Sequence, residues 1–578
     1  GVYIDTNKLI NDNNFIKSIK TDGNGSPFGN LISYKIIDFE KIDNINYKLE
    51  ISHKLLHLFV SVNIFIFVII FSVKLLRCYY SNIVYYDDSK LIFNKDDYLF
   101  IIVSGIIVIA IFLFQYWLCF PGYFQYWDTW EVIWRGYTGD YDDWRPVIIS
   151  FVLRIIYSIF GYDTYYLFLI NLLCWYIGLY IIVISAYLKF KNRLVIFMLL
   201  FSFIGNIFFT NINSEKDFTA TLIVWLSLSI MFFELISFRN SKVLLFLKIF
   251  SIFLLFIAEL WRHNFIVTVY PLFFVYLVIN INRIVNIRKY IKSFLGLAVI
   301  IAVILIMISQ NFSLFFVNGS KSYSNHILLL QIAGCAFYSN DYSLIPDNWY
   351  IDDKNSEDLK KLYIETNLIG DKYVTTWNEN APFYYFNLEN IKQVWIKYII
   401  KHPISYLKHM INYTAYMWTT EAWSPALNGF NYRMTADEIQ DNAPLHVFTD
   451  EFYNASKNKG IVFTPLREKI YTLLYTILPS INILIFVIFS ILIFFISIFI
   501  FIRYRIFRNN NFLLFSFFTS FSAFATSIIV ALFTPVPLYR YIHPVFSITI
   551  ISLISFITFI YDRGGFKKFI KELRGSGK

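Results

Sequence analysis

The chain has 578 residues, of which 57% are hydrophobic, 21% aromatic and only 16% charged, and its mean hydropathy is +0.54. A soluble domain is about 45–50% apolar and about 25% charged, so this chain has too few polar side chains to cover it in water, which excludes a soluble globule. The apolar residues come in blocks of about 17–25, the length that carries a helix across roughly 30 Å of hydrocarbon, and not in ~10-residue alternating segments, which excludes an outer-membrane barrel. A formal net charge of +10 raises nucleic acid as a partner. The Lys and Arg residues instead cluster beside the apolar blocks, as the positive-inside rule requires, and no nucleic-acid partner is expected. Cys78, Cys119, Cys174 and Cys335 are far apart, with no CxxC pair, so neither a zinc site nor a disulfide framework is indicated.

In chain order, residues 1–55 form a polar segment rich in Asn, Asp, Ile and Lys. About 50 polar residues before a first apolar block of spanning length do not read as a cleavable signal. Apolar windows then predict spans at 57–77, 98–118, 163–187, 194–210, 217–238, 243–260, 263–280, 292–312, 482–503, 511–533 and 541–561, about eleven in all. The chain divides accordingly into an extra N-terminal helix and loop (56–97), a seven-helix module (98–312), a polar stretch (313–481), C-terminal transmembrane helices (482–562) and a basic tail (563–578). The stretch 313–481 has ordinary polar composition and amphipathic patches at the size of a domain, so it is expected outside the hydrocarbon as a mixed or mainly helical domain. The fold class is an all-α polytopic membrane protein.

Every second loop is basic: Lys189, Lys191 and Arg193; then Arg239, Lys242 and Lys248; then Arg283, Arg288, Lys289 and Lys292; then Arg503, Arg505 and Arg508; and last Lys567, Lys568 and Lys571 in the tail. These loops are expected on the cytoplasmic side, and 119–162, 211–217, 261–263, 313–481 and 534–540 on the opposite side. That parity requires 147–160 to lie in the interface without crossing. It also places the N-terminus outside, although the balanced charge of residues 1–55 carries no orientation signal.

The unusual polar residues fall on the non-cytoplasmic side. Loop 119–162 carries Trp127, Asp128, Glu131, Asp140, Asp142, Asp143 and Arg145 among aromatic rings; loop 211–217 carries Asn213, Glu215, Lys216 and Asp217; the turn after 260 carries Arg262, His263 and Asn264; and the last outer loop carries Tyr539, Arg540, Tyr541 and His543. Ionisable groups at membrane depth line a polar cavity or pair with one another, and cations on this side run against the insertion bias. Each residue has a plainer reading: Lys216 pairs with an adjacent acid, Arg262 and Arg540 snorkel to headgroups, and Asp128 caps an interfacial helix. Taken together, carboxylates and cations at the outer end of a bundle suit a lipid phosphate attached to a neutral hydroxylated group. Transfer of a sugar from such a phosphate passes through an oxocarbenium-like transition state, in which a carboxylate takes the acceptor proton and cations stabilise the departing phosphate. No phosphate-cradling Gly-rich loop, nucleophile elbow or His-Glu-x-x-His motif occurs.

The order Phe120-Pro121-Gly122-Tyr123 with Asp128, Arg145-Pro146, Glu215-Lys216-Asp217, Arg262-His263-Asn264, Lys401-His402-Pro403 with Tyr406, and Tyr539-Arg540-Tyr541 with Pro544 resembles the GT-C superfamily of membrane glycosyltransferases, and within it a group of bacterial GT-C-like proteins. The resemblance covers most of 98–561. It implies a polyprenyl-phosphate-linked sugar donor, a glycan, lipid or protein acceptor, and a bacterial cytoplasmic membrane with the active site on its outer face. It implies Asp128 as the first-loop catalytic acid, with Glu131 and Asp217 as further catalytic candidates. Lys216, Arg262, Arg540, Tyr541 and His543 would hold the donor phosphate, and Trp127, Asp143, Arg145, His263 and Asn264 the rest of the substrate. Relatives often carry His where Arg145 stands. No cofactor is certain, and a divalent cation stays open, since metal use varies in the superfamily and an acidic pair such as Asp142-Asp143 is commonly solvated.

Two other classes share these features. A transporter or flippase of lipid-linked saccharides needs charged or broken-helix positions near the midplane and often an internal repeat, neither of which the sequence carries. An oligosaccharide polymerase or ligase shares substrate class and outer loop, and is not separated from a monosaccharide transferase by sequence. His402-Pro403 also reads as an ordinary helix start, and Trp418-Thr-Thr-Glu421-Ala-Trp423 as a packed interfacial loop or an acceptor site.

Overall fold

The structure is a computed structural model that describes residues 95–122, 127–141, 146–236, 242–262, 265–274, 307, 325–351, 354–365, 373, 381–383, 388–419, 464–478, 481–503, 510–532, 534 and 539–575. All of them lie in one compact unit, Ser61–Lys578; a separate unit, Gly1–Val60, and the expected span 57–77 fall outside the described residues. The described residues are helical apart from loops and one isolated antiparallel bridge, Tyr350 with Phe383.

The elements run α1 (Lys95–Cys119), α2 (Trp127–Thr138), α3 (Val147–Phe160), α4 (Tyr166–Phe190), a 3-10 helix (Arg193–Phe203), α5 (Gly205–Thr210), α6 (Lys216–Ile236) and α7 (Lys242–Trp261). After the central region come α8 (Asn325–Ser339), α9 (Ser356–Glu365), α10 (Ile391–Lys401), α11 (Pro403–Thr419) and α12 (Pro465–Ile477). The chain closes with α13 (Ile483–Arg503), α14 (Asn511–Leu532), α15 (Tyr539–Ile542), α16 (Pro544–Asp562) and α17 (Phe566–Gly575). Seven helices among the described residues are long and apolar enough to cross a membrane: Asp96–Cys119, Tyr166–Phe190, Lys216–Ile236, Val243–Trp261, Ile483–Arg503, Asn511–Val530 and Arg540–Asp562.

The expected count of about eleven is therefore met only in part. The span expected at 292–312 lies outside the described residues apart from Met307, and that at 263–280 is described only as a helical run over 265–274. The run 194–210 is corrected in kind: it is not one α-helix but the 3-10 helix followed by the six-residue α5. It nevertheless travels the length of the bundle. Arg193 pairs with Asp96 at the start of α1, whereas the Phe208 carbonyl accepts from Gln115 near the end of α1. A 3-10 helix rises ~2.0 Å per residue and an α-helix ~1.5 Å, so 18 residues wound this way reach roughly 30 Å, where an all-α stretch falls a few ångströms short.

Helix α6 is the axis of the fold. It packs against α4, α7 and α16, and 94% of its apolar window is buried inside the protein; a helix apolar all round has no solvent face to keep. Helices α1, α7 and α13 are buried over only about a third of their windows and turn Leu99, Ile106, Phe246, Phe253, Phe489 and Phe499 outward, as lipid-facing helices do. With lipid outside there is little hydrophobic drive to pack one span on another, and small hydroxyl residues take over. Ser516 and Ser552 donate to each other's backbone carbonyls between α14 and α16, Ser555 donates to Phe512 O, and Ser227 of α6 donates to Ser251 O of α7.

The connection from α1 to α4 stays at one end. Helix α3 has 14 residues, short for a span, and pairs with α2 as a hairpin. Gly136 and Gly139 make the hairpin possible: a Cβ on Gly136 would press Leu153 of α3, and Gly139 closes α2 at φ +76 against the Arg154 guanidinium. The described part of 313–481 is mainly helical, with α8, α10 and α11 packed together. It is pinned to the membrane helices by α12, whose Arg467 guanidinium donates to the Leu118 and Phe120 carbonyls at the end of α1.

Candidate functional site

The ends of five elements meet at the same end of the bundle. Asn213 forms a local turn whose side chain accepts from the Glu215 amide, and α6 starts at Lys216 with Asp217 in its first turn, where an acid complements the helix dipole. Asn171 of α4 donates to the Asn213 carbonyl at 2.6 Å and holds this corner down. Arg262 follows the last residue of α7, where a cation suits the negative end of a helix. The short α15 presents Arg540 and Tyr541, and Pro544 opens α16 without losing a needed donor.

These residues form one charge cluster. Arg262 Nε lies 2.7 Å from Asp217 Oδ1, Arg540 Nε lies 3.6 Å from Asp217 Oδ2, and Arg540 Nη1 lies 3.1 Å from Glu215 Oε2. The carboxylates are 0% and 1% exposed and both arginines 13%. The Arg262 and Arg540 guanidiniums lie 4.9 Å and 5.1 Å from the centre of the Tyr541 ring, a cation–π arrangement, and Arg540 Nη2 donates to the Tyr541 hydroxyl at 3.3 Å. The Asp217 contacts are close in charge but lack the alignment of hydrogen bonds. In the preceding loop, Asn211 Nδ2, Asn213 Nδ2 and Ser214 Oγ are buried and have no hydrogen-bond partner among the described residues. Gly122 covers this loop at φ +103; a Cβ there would meet Phe168 at 2.6 Å and Ser214 Oγ at 3.0 Å.

Of the residues singled out in the sequence, the structure brings Asp217, Arg262, Arg540 and Tyr541 into contact. Lys216, 7% exposed, stands beside them as the first residue of α6. His543 is buried at the same end: its Nε2 lies 3.0 Å from Thr210 Oγ1, and its ring packs against Phe218 and stacks on Phe546. Glu131 is buried in α2. It accepts from Arg135 Nε at 3.2 Å and Nη2 at 2.8 Å, one helical turn on, and that arginine also donates to the Asp140 carbonyl. Trp127 and Asp128 open α2, and nothing is described of their side chains; Asp143, Arg145, His263 and Asn264 lie outside the described residues.

Sequence reasoning placed Glu215 in the outer cluster without giving it a role, and left out two neighbours: Arg135, visible as the i+4 partner of Glu131, and Arg467, which, far along the chain, carried no signal. The Lys401-His402-Pro403 motif turns out to be a joint. Lys401 Nζ and His402 Nε2 both lie 2.8 Å from Asp341 Oδ2, pinning the break between α10 and α11, and with Ser343 they hold the Asp341 carboxyl well below the usual carboxylate range. Trp418 donates to the Ser527 carbonyl at 3.0 Å, while Glu421 and Trp423 lie outside the described residues. No group of three or more His, Cys, Asp or Glu residues placed to hold a metal occurs among the described residues. Compared with known families, curated proteins and solved structures, the chain matches none.

Proposed function

We propose that the chain is an integral-membrane glycosyltransferase of GT-C type, moving a sugar from a polyprenyl-phosphate donor to a glycan, lipid or protein acceptor on the outer face of a bacterial cytoplasmic membrane. The observation that carries this reading is the convergence of Glu215, Asp217, Arg262 and Arg540 under Tyr541, at the bundle end that also holds the hairpin α2–α3. Lys216, Arg262 and Arg540 against Glu215 and Asp217 leave one net positive charge, the charge that a sugar phosphodiester neutralises. The guanidiniums suit phosphate oxygens because their planar donors match them in pairs. The Asn211 Nδ2, Asn213 Nδ2 and Ser214 Oγ groups next to the cluster, without hydrogen-bond partners among the described residues, suit a hydroxylated group.

In the reaction, the bond from the sugar anomeric carbon to phosphate oxygen breaks as the bond to the acceptor oxygen forms. The acceptor proton passes to Asp128 at the start of α2, and the negative charge left on the phosphate is stabilised by Arg262 and Arg540. A carrier is less well supported, because charged residues of the described spanning helices all lie within about two turns of a helix end, leaving the middles without the sites that passage needs. The test is the full chain in lipid vesicles, supplied with short-chain polyprenyl-phosphate sugars and with its Asp128→Asn variant. Transfer is lost in the variant while donor binding persists. Turnover near that of the unaltered protein refutes the assignment of the base.

A further inference from the structure

Helices α10 and α11 turn an unusual face outward. Ile396, Ile400, Ile404, Leu407 and Ile411 are 48%, 74%, 81%, 58% and 60% exposed, one ridge along two consecutive helices, whose opposite faces bury Val394, Tyr398, His409 and Tyr413. Lys392, Lys397, Lys401 and Lys408 lie on the same exposed side, and residues 391–419 contain no Asp or Glu. An aliphatic ridge of this size is costly in water and marks an interaction surface.

Its position is fixed by contacts with the end of α14. Gln331 of α8 donates to the Leu532 carbonyl at 2.8 Å and accepts from Trp395 of α10 at 2.8 Å and from Tyr406 of α11 at 2.9 Å. Tyr413 donates to the Thr534 carbonyl at 2.8 Å. Tyr406 reaches the last turn of α14 through Gln331, and Tyr413, about 10 Å further along α11, meets Thr534 two residues past that turn, so α11 lies across the end of the span. Trp418 then dips to Ser527, about 7 Å below that end. An amphipathic helix pair with lysines along an aliphatic ridge, held at the rim of spanning helices, has the chemistry of a headgroup layer with anionic lipid.

We infer that the exposed face of α10 and α11 rests on the membrane surface, its aliphatic ridge among the upper acyl carbons and its lysines on anionic phospholipid headgroups. Lys401 Nζ is held on Asp341 and Lys408 Nζ lies over the Tyr338 ring at 4.9 Å, so these two are anchored at the surface, while Lys392 and Lys397 are exposed beside the ridge. This inference does not depend on the glycosyltransferase reading.

The test uses the full chain with Cys78→Ser and Cys174→Ser and a single fluorophore on Ile404→Cys, Leu407→Cys or Ile411→Cys; Cys174 is partly exposed, while the native Cys119 and Cys335 are buried. The vesicles are phosphatidylcholine alone, or an equal mixture with phosphatidylglycerol. Brominated lipid is expected to quench all three labels and aqueous iodide to spare them, with brominated phosphatidylglycerol quenching best. A label at the exposed Glu357→Cys serves as the water-facing control. Replacing Lys392, Lys397 and Lys408 by Gln removes the phosphatidylglycerol preference, at about fivefold per lysine. Quenching by iodide and not by lipid overturns the inference, as does protection from both, which assigns the face to a protein partner. Equal quenching by the two brominated lipids overturns the anionic preference.

Discussion

The two ends of the bundle hold their charges in different ways. At the basic end, Lys191 Nζ donates to both Asp97 oxygens at 3.1 Å and the Tyr187 hydroxyl donates to one of them at 2.7 Å. Lys189 meets Asp562 at 2.7 Å, and Arg193 meets Asp96 at 3.3 Å in the open, at 66% and 61% exposure. At the other end, Asp217 and Glu215 are wholly buried against two arginines, and the Asp217 contacts are close without being aligned. The first arrangement is a finished clasp joining α1, α4 and α16. The second lies deeper, and its Asp217 contacts are less well aligned, the arrangement expected if it is the phosphate site proposed above.

The largest expected effect strikes that second arrangement. Asp217→Ala removes the acid shared by Arg262 and Arg540, and breaking a buried pair costs about 3–5 kcal/mol, read as a lower unfolding temperature in detergent; a loss below about 1 kcal/mol would erase the contrast between the ends. Next, Arg540→Ala raises the donor KM, since a charge-assisted contact contributes about 1.5–3 kcal/mol, roughly ten- to a hundredfold, while an unchanged donor affinity places the phosphate elsewhere. At the finished clasp, Asp97→Asn keeps one acceptor and loses the charge, an expected cost of about 1–2 kcal/mol with no change in donor KM. Smallest is Arg193→Gln, whose exposed pair contributes at most about 0.5 kcal/mol and less as salt is raised. Unfolding of these last two variants at low and high salt sharpens the comparison, because only the exposed pair responds.

Much of the frame was legible because bilayer thickness dictates run length: all seven helices long enough to span coincide with apolar windows read in the sequence, and the 14-residue α3 is short for a span, as loop parity requires of 147–160. The run 194–210 was seen as a span but not as a 3-10 helix, since hydropathy counts residues and is blind to their winding. For the site, the grouping of Glu215, Asp217, Arg262 and Arg540 followed from sidedness, a property that alternating basic loops encode. Which acid faces which arginine did not follow, because contacts between residues 217, 262 and 540 depend on packing around α6. The neighbours of His543 were hidden for a related reason: Thr210 and Phe218 come from elements distant in sequence. The joint at Asp341 shows the converse, a motif that looks chemical and acts as a hinge pin.

The winding of residues 193–203 has a mechanical consequence for the opposite corner. Rewound as an α-helix, those 11 residues would shorten by about 5 Å, and the chain beyond them, from Thr210 to the start of α6, would be drawn toward the middle of the membrane. The depth at which Glu215 and Asp217 sit is therefore geared to the pitch of a single stretch of backbone, much as the height of a nut is set by the thread that carries it.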